Sequence, residues 1–288
     1  MDSQYLFKMD FKKDWIRIIK NAIHEKFGLD VTKIPEDKIL YTYLNLQKRI
    51  ISQTKRKVYE ADIFKCPTEK EKFWGELKEK FENGDDVNAY QSKEIDSFDY
   101  RDLMLLDWNI FHFHLNSDMN GKFVKRSGLL LYAYITDSAV YAINIMSHGK
   151  WYDSCLIETI HRNWPQLIKG HICKGISSDN ISEKDRKSLR DKHCNASVSV
   201  LDGTTYGALG GGFVVSGESI GSVTEVDKQN DFLDRLEILF KEKIGAYLEA
   251  IIKGGYKDGD EIEAILQFDG KDYSVKMPKF STTVLFTK

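Results

Sequence analysis

Beyond Asp99 the apolar residues of this chain stop recurring every three or four positions and begin to alternate. That change of period, from helical to extended, constrains the fold class more than any other feature of the sequence. Upstream of it, Phe11, Trp15, Ile18, Ile19, Ala22, Ile23 and Phe27 fall on one helical face. Lys12, Lys13, Asp14 and Lys20 lie largely opposite, as expected for a helix with one buried side. Gly28 is a natural stop. A second helix is expected from Pro35 to about Ser52. A third carries Phe73, Leu77 and Phe81 on one stripe and ends at Asn83-Gly84.

Downstream, WNIFHFHL (108–115) alternates with a period of two. SGLLLYAYI (127–135) and AVYAINIM (139–146) are rich in β-branched and aromatic residues, with Thr136-Asp137-Ser138 between them. This predicts three strands of an antiparallel sheet. Asp153 or Ser154 can cap a helix running to about Asn163, which Trp164-Pro165 should end. Residues 177–192 are polar and read as exposed. ASVSVLDGTTYG reads as a strand and turn. The stretch from Gly207 to Gly221 holds six of the chain's 20 glycines and reads as an irregular loop around one short strand. A helix containing Phe232, Leu236, Leu239 and Phe240 follows, then a hairpin turning at Asp269-Gly270. The expected architecture is α+β: a helical N-terminal region (1–100), a central antiparallel sheet (101–174) and a C-terminal mixed α/β segment (175–288) packed on it.

Composition narrows the function classes. The chain has 288 residues, 42% of them apolar and 30% charged, with a net charge of −2. That is enough apolar material for a sizeable core. The charge is too balanced for a general nucleic-acid binder, so any such contact must use a local patch. Four irregularly spaced cysteines argue against a disulfide framework and for reduced thiols. No apolar run approaches a membrane span, and MDSQYLFKMDFKKDW lacks the apolar stretch of a signal peptide. A cytoplasmic protein without membrane contact is expected.

The candidate chemistry lies between Asp107 and His171. In a strand, His112 and His114 project from the same face. His148 ends the third strand and His161 lies on the following helix, so four of the seven histidines could share one region. Imidazoles titrate near neutrality and serve as general acid and base. A pair of them could cleave RNA through its own 2′-hydroxyl, with Arg126, Lys150 or Tyr152 steadying the phosphorane charge. Alternatively, His112, His114 and His148 could hold zinc or manganese, with Asp107 or Asp153 as an oxygen ligand. The bland alternative is that the strand histidines simply hydrogen-bond to backbone.

Other motifs are weaker. His171, Cys173, His193 and Cys194 are zinc-ligand types without a finger spacing. Lys48, Arg49, Lys55, Arg56 and Lys57 form a basic run, read as a solvated helix end and loop in preference to a phosphate contact. The glycine-rich stretch lacks the pattern of a phosphate-binding loop and is expected to let backbone pass close to another element or a ligand, with Thr204, Thr205, Ser216 and Ser219 available to line a site. Arg186 and His193 match the R-x(4–6)-H spacing of HEPN ribonucleases, but the segment is short and polar and the match is read as chance.

The order of elements from Trp108 to Tyr152 resembles the RelE/ParE toxin superfamily. In both, a basic residue (here Arg126) leads into a strand and a short turn. The last strand then ends in a polar H-x-x-x-Y-like sequence, here SHGKWY. The resemblance spans about 45 residues of the 288. It implies ribonucleolytic cleavage of messenger RNA, with Arg126, His148, Lys150 and Tyr152 at the active edge; His112 and His114 are not part of that pattern. The expected function is therefore a nuclease, an endoribonuclease of bacterial-toxin or phage-defence type, without a cofactor. A metal-dependent hydrolase using the same histidines and a non-catalytic binding or assembly module are the alternatives. RNA and a second copy of the chain are the candidate partners.

Overall fold

The structure, a computed structural model, describes residues 5–176 and 181–286. The fold is mixed α+β with a central mixed sheet. The chain forms two compact units, Leu44–Val223 and a second built from Met1–Tyr43 with Thr224–Lys288. This partition cuts across the three consecutive regions read from the sequence, because the first helix shares a unit with the C-terminal segment.

In that second unit, Phe11–Phe27 is a helix whose first turn is capped by Asp10, which accepts from the Lys13 amide, and whose end is the left-handed Gly28. Its buried face is Phe11, Trp15, Ile19 and Ile23, the stripe expected from the spacing. Trp15 packs on Phe268 and Tyr273 of an antiparallel sheet formed by Ile265–Phe268, Tyr273–Met277 and Thr282–Phe286. The hairpin turns at Asp269-Gly270 as predicted; the third strand was not anticipated.

The Leu44–Val223 unit is organised by a four-stranded sheet. Its strands are β1 (Lys57–Glu60), β2 (Ile110–His114), β3 (Leu129–Ile135) and β4 (Ala139–Ser147), in the order β1-β4-β3-β2. The three predicted strands pair antiparallel, while β1 adds to β4 in parallel. The sequence reading missed β1 because only Val58 and Tyr59 in it look like strand residues. It also began β2 too early: Leu103–Trp108 is a short helix, α2, following α1 (Glu71–Asn83). Asn109, at φ 56°, ends α2 and turns the chain into β2.

Helices cover both sheet faces. On one, Trp74, Leu77 and Phe81 of α1 pack against Phe113, Leu131 and Ala142. On the other, Leu156, Ile157 and Ile160 of α3 (Cys155–Asn163) pack against Ile110, Leu130, Tyr132 and Ile143. Because side chains alternate along β2, placing Phe111 and Phe113 in the first core puts His112 and His114 on the second face.

Two expectations about charged and glycine-rich segments change. Arg49 and Arg56 are buried, at 1% and 5% exposure. Arg49 donates to the Tyr100 and Ser97 carbonyls and Arg56 to those of Thr136, Ser52 and Thr54. They are internal struts, so two of the five cations are withdrawn from solvent, while Lys55 and Lys57 stay exposed as expected. The glycine-rich stretch does make the expected close approach, to another element of the unit. The Gly210 and Gly212 amides donate to the carbonyls of Asp107 (2.8 Å) and Leu106 (2.9 Å), satisfying the end of α2. A Cβ on Gly210 would lie 2.2 Å from the Leu105 oxygen. Gly210→Ala should therefore lower stability by roughly 1–3 kcal/mol, the range for overpacking a tight contact, seen as an earlier urea midpoint. Thr205 and Ser219, two of the residues expected to line a site there, are engaged locally: Ser219 bonds Ser222, and Thr205 is paired with Ser199. In place of the expected short strand, the stretch has a single bridge between Phe213 and Ser219.

Candidate functional site

His112 and His114, side by side on the edge strand β2, open into a cleft of about 350 Å³. Its lining includes His148, Arg126, Trp151, Tyr152, Tyr100 and Asp102. Most of the predicted site residues thus meet in one place. The reason is topological. The amide of His148 donates to the Gly128 carbonyl (2.9 Å), extending the β3–β4 pairing, so His148 and Arg126 flank the same sheet end as His114.

The three imidazoles have different surroundings. His114 is 3% exposed, and its Nδ1 accepts the Ser127 amide (3.2 Å). A ring that accepts at Nδ1 carries its neutral-form proton on Nε2. Burial, reinforced by the charges of His112, His148 and Arg126, pushes its pKa down to about 4. His114 is therefore a fixed neutral donor near pH 7. His148 is exposed and stacks on His114 with centroids 6.5 Å apart. Its pKa is also lowered, first by partial burial and then by His112 and Arg126, which leaves it a neutral acceptor. His112 has its Nδ1 3.7 Å from a carboxylate oxygen of Asp102. The other Asp102 oxygen accepts the Leu105 amide and caps α2 (3.0 Å). The Trp151 indole stands beside both rings, 5.9 Å from His112 and 4.6 Å from His148.

The wall behind this cleft is a buried ion pair. Arg190, on α4 (Glu183–Asp191), donates through two nitrogens to one Asp107 oxygen, at 3.0 and 2.8 Å. Its guanidinium lies 4.5 Å from the Trp108 ring centre and 4.9 Å from that of Tyr152, and it donates to the Trp151 carbonyl (2.5 Å). Arg190 and Arg186 are 2% and 3% exposed. The polar stretch expected to be solvated thus contributes two internal cations; its residues 177–180 lie outside the described part. Burial raises the pKa of Asp107, and Arg190 opposes the rise.

Several expectations fail here. Lys150 does not line the cleft: it pairs with Asp153 and Glu183 at 3.2 Å each, because the turn after β4 swings it away. His161 stays apart, bonded to the Tyr206 hydroxyl (2.7 Å) and Asp202 (3.2 Å). His193 contacts the Val215 carbonyl, and Arg186 reaches the Ser197 carbonyl (3.1 Å), so they make no joint site. Among the described residues, no three His, Cys, Asp or Glu side chains are arranged to hold a metal ion. This removes the support for zinc or manganese on His112, His114 and His148, and for a site at His171, Cys173, His193 and Cys194. The physical obstacle in the first set is clear. The His114 and His148 rings are nearly parallel (16°), so their in-plane lone pairs do not converge, and Nδ1 of His114 is already occupied.

The buried neutral ring makes a pH prediction. His114 titrates near its ordinary value when unfolded but only at about 4 when folded. Between those values the unfolded state binds the extra proton, so this contribution to stability is complete above about pH 6.5. It is lost as pH falls from there towards about 4, by about 1.4 kcal/mol per unit. Urea midpoints of wild type and His114→Asn should therefore converge on acidification.

Asp102 and Arg190 were invisible as site residues in the sequence. Asp102 is legible only as a helix cap, and Arg190 sits in an unremarkable polar helix. Set against known proteins, the chain matches no family model, no curated protein and no solved structure.

Proposed function

We propose that the chain is an endoribonuclease of the bacterial-toxin or phage-defence kind that cleaves RNA by metal-free acid–base catalysis. The observation that carries the reading is the convergence of His112, His114, His148 and Arg126 on one nucleotide-sized cleft. Small-ligand sites run from roughly 300 to 1,000 Å³, and this one is at the lower end. His148 takes the proton of the 2′-hydroxyl, whose oxygen attacks the adjacent phosphorus. His112 gives a proton to the departing 5′-oxygen, and the Asp102 carboxylate steadies its imidazolium form. Among the described residues Arg126 makes no ion pair or hydrogen bond, which leaves its five donors for phosphate oxygens. The Nε2–H of His114 adds a neutral donor to the same charge. Trp151, Tyr100 and Tyr152 offer aromatic surface to a base.

The test is incubation of labelled single-stranded RNA, and of DNA of the same sequence, with purified protein in excess EDTA. RNA should be cut and DNA left intact, since only RNA carries the internal nucleophile. Equal cutting of both, or of neither, would retire the proposal. Cutting only after a divalent ion is restored would favour the hydrolase reading.

A further inference from the structure

We infer that this site holds a second nucleotide subsite, so that it takes an internal phosphodiester with a nucleotide on either side. The inference rests on the reading just given and goes on to name the minimal substrate. Beside the cleft lies a second hollow of about 280 Å³. The two share a wall, because His114 and Arg126 line both. The second hollow presents Lys93, Lys125 and Arg126 and no carboxylate, with the Asn120 amide and the Phe123 ring beside them.

The charges suit a polyanion. Lys125 is held by Asp118 at 3.2 Å, but both side chains are more than half exposed. Exposed pairs are weak, so a phosphate can compete for that lysine. Lys93 makes no ion pair or side-chain hydrogen bond among the described residues. Arg126, placed at the shared wall, is positioned for the phosphate that joins two nucleotides. One nucleotide then lies in the cleft against Trp151. Its neighbour lies in the second hollow, with Phe123 as a stacking surface and Lys93 near the next phosphate. Base–aromatic stacking tolerates any base, so this arrangement sets substrate length before it sets sequence.

Calorimetric titration tests this without any turnover. The probes are a 2′-deoxy dinucleotide that carries a 3′-terminal phosphate, which cannot be cleaved by this chemistry, and the matching nucleoside 3′-monophosphate. Wild type should bind the dinucleotide roughly tenfold tighter or more, the typical effect of one added stacked base. Lys93→Ala combined with Phe123→Leu should remove that advantage and leave monophosphate affinity unchanged, which also reports that the variant is folded. Lys93→Glu, an exposed change that keeps the ring, should weaken the dinucleotide alone. Equal wild-type affinities, equal weakening of both probes, or no dinucleotide binding would overturn the subsite. Selective dinucleotide binding by a protein that cuts no RNA would instead retire the nuclease reading and keep the subsite.

Discussion

Replacing His148 by alanine is expected to slow RNA cleavage by about 10²–10⁴-fold, the usual contribution of a positioned acid or base. His112→Ala should cost as much, and the double variant little more, because an acid and a base acting in one step fail together. His148 is exposed, and its ring contacts only His114 and Trp151 among the described residues, so its loss should change the urea midpoint little. His112 is more enclosed, so His112→Gln serves as its control for packing. Asp102→Asn should fall between wild type and the histidine variants in activity. Its stability should stay near wild type, since asparagine caps a helix about as well as aspartate and can still accept the Leu105 amide. Single-turnover rates separate chemistry from RNA binding. If the histidine variants fold normally and cleave like wild type, the assignment of acid and base is wrong.

The largest stability effect is expected at Arg190. Arg190→Met removes the only ion-pair partner of Asp107 among the described residues, while Asp107 stays 3% exposed with one oxygen already unpaired. Leaving a buried charge without its partner costs roughly 3–5 kcal/mol. The loss extends beyond the pair. Arg190 also fills the space between Trp108 and Tyr152 and holds the Trp151 carbonyl, so the cleft wall should loosen with it. Arg190→Lys keeps the charge but loses the paired donors and the flat stacking surface, and should recover only part of the stability. Removing both charges, as in Asp107→Leu with Arg190→Met, should be milder than Arg190→Met alone. Urea unfolding of the four proteins decides this, and a double variant as weak as the single one would contradict the unpaired-charge account.

Much of this architecture is written in local patterns. The helix Phe11–Phe27 follows from its stripe, from Asp10 as cap and from Gly28 as stop, all within one stretch of chain. The β3–β4 hairpin follows from two apolar runs around a three-residue turn. The common face of His112 and His114 follows from alternation alone. What the sequence withheld depends on distant partners. Strand β1 exists because β4 offers it an edge, and four residues with two charges do not announce that. Arg190 reads as solvent-facing because its helix is polar, until Asp107, 83 positions away, draws it inside. Arg49 and Arg56 mislead in the same way, since their acceptors are carbonyls far along the chain or across a turn. Lys150 fails for a different reason. Its predicted place assumed that the strand direction continues, whereas the chain turns at Gly149, with φ 100°.

The most direct test of the central claim, that the imidazoles exchange protons across an RNA phosphate, is identification of the product ends formed by wild type in EDTA. Attack by the 2′-oxygen must yield a 2′,3′-cyclic phosphate and a free 5′-hydroxyl, resolvable by mass spectrometry, and that is the predicted result. A 5′-phosphate with a 3′-hydroxyl would show that water, and not the ribose, is the nucleophile, and would contradict the mechanism built on His112 and His148.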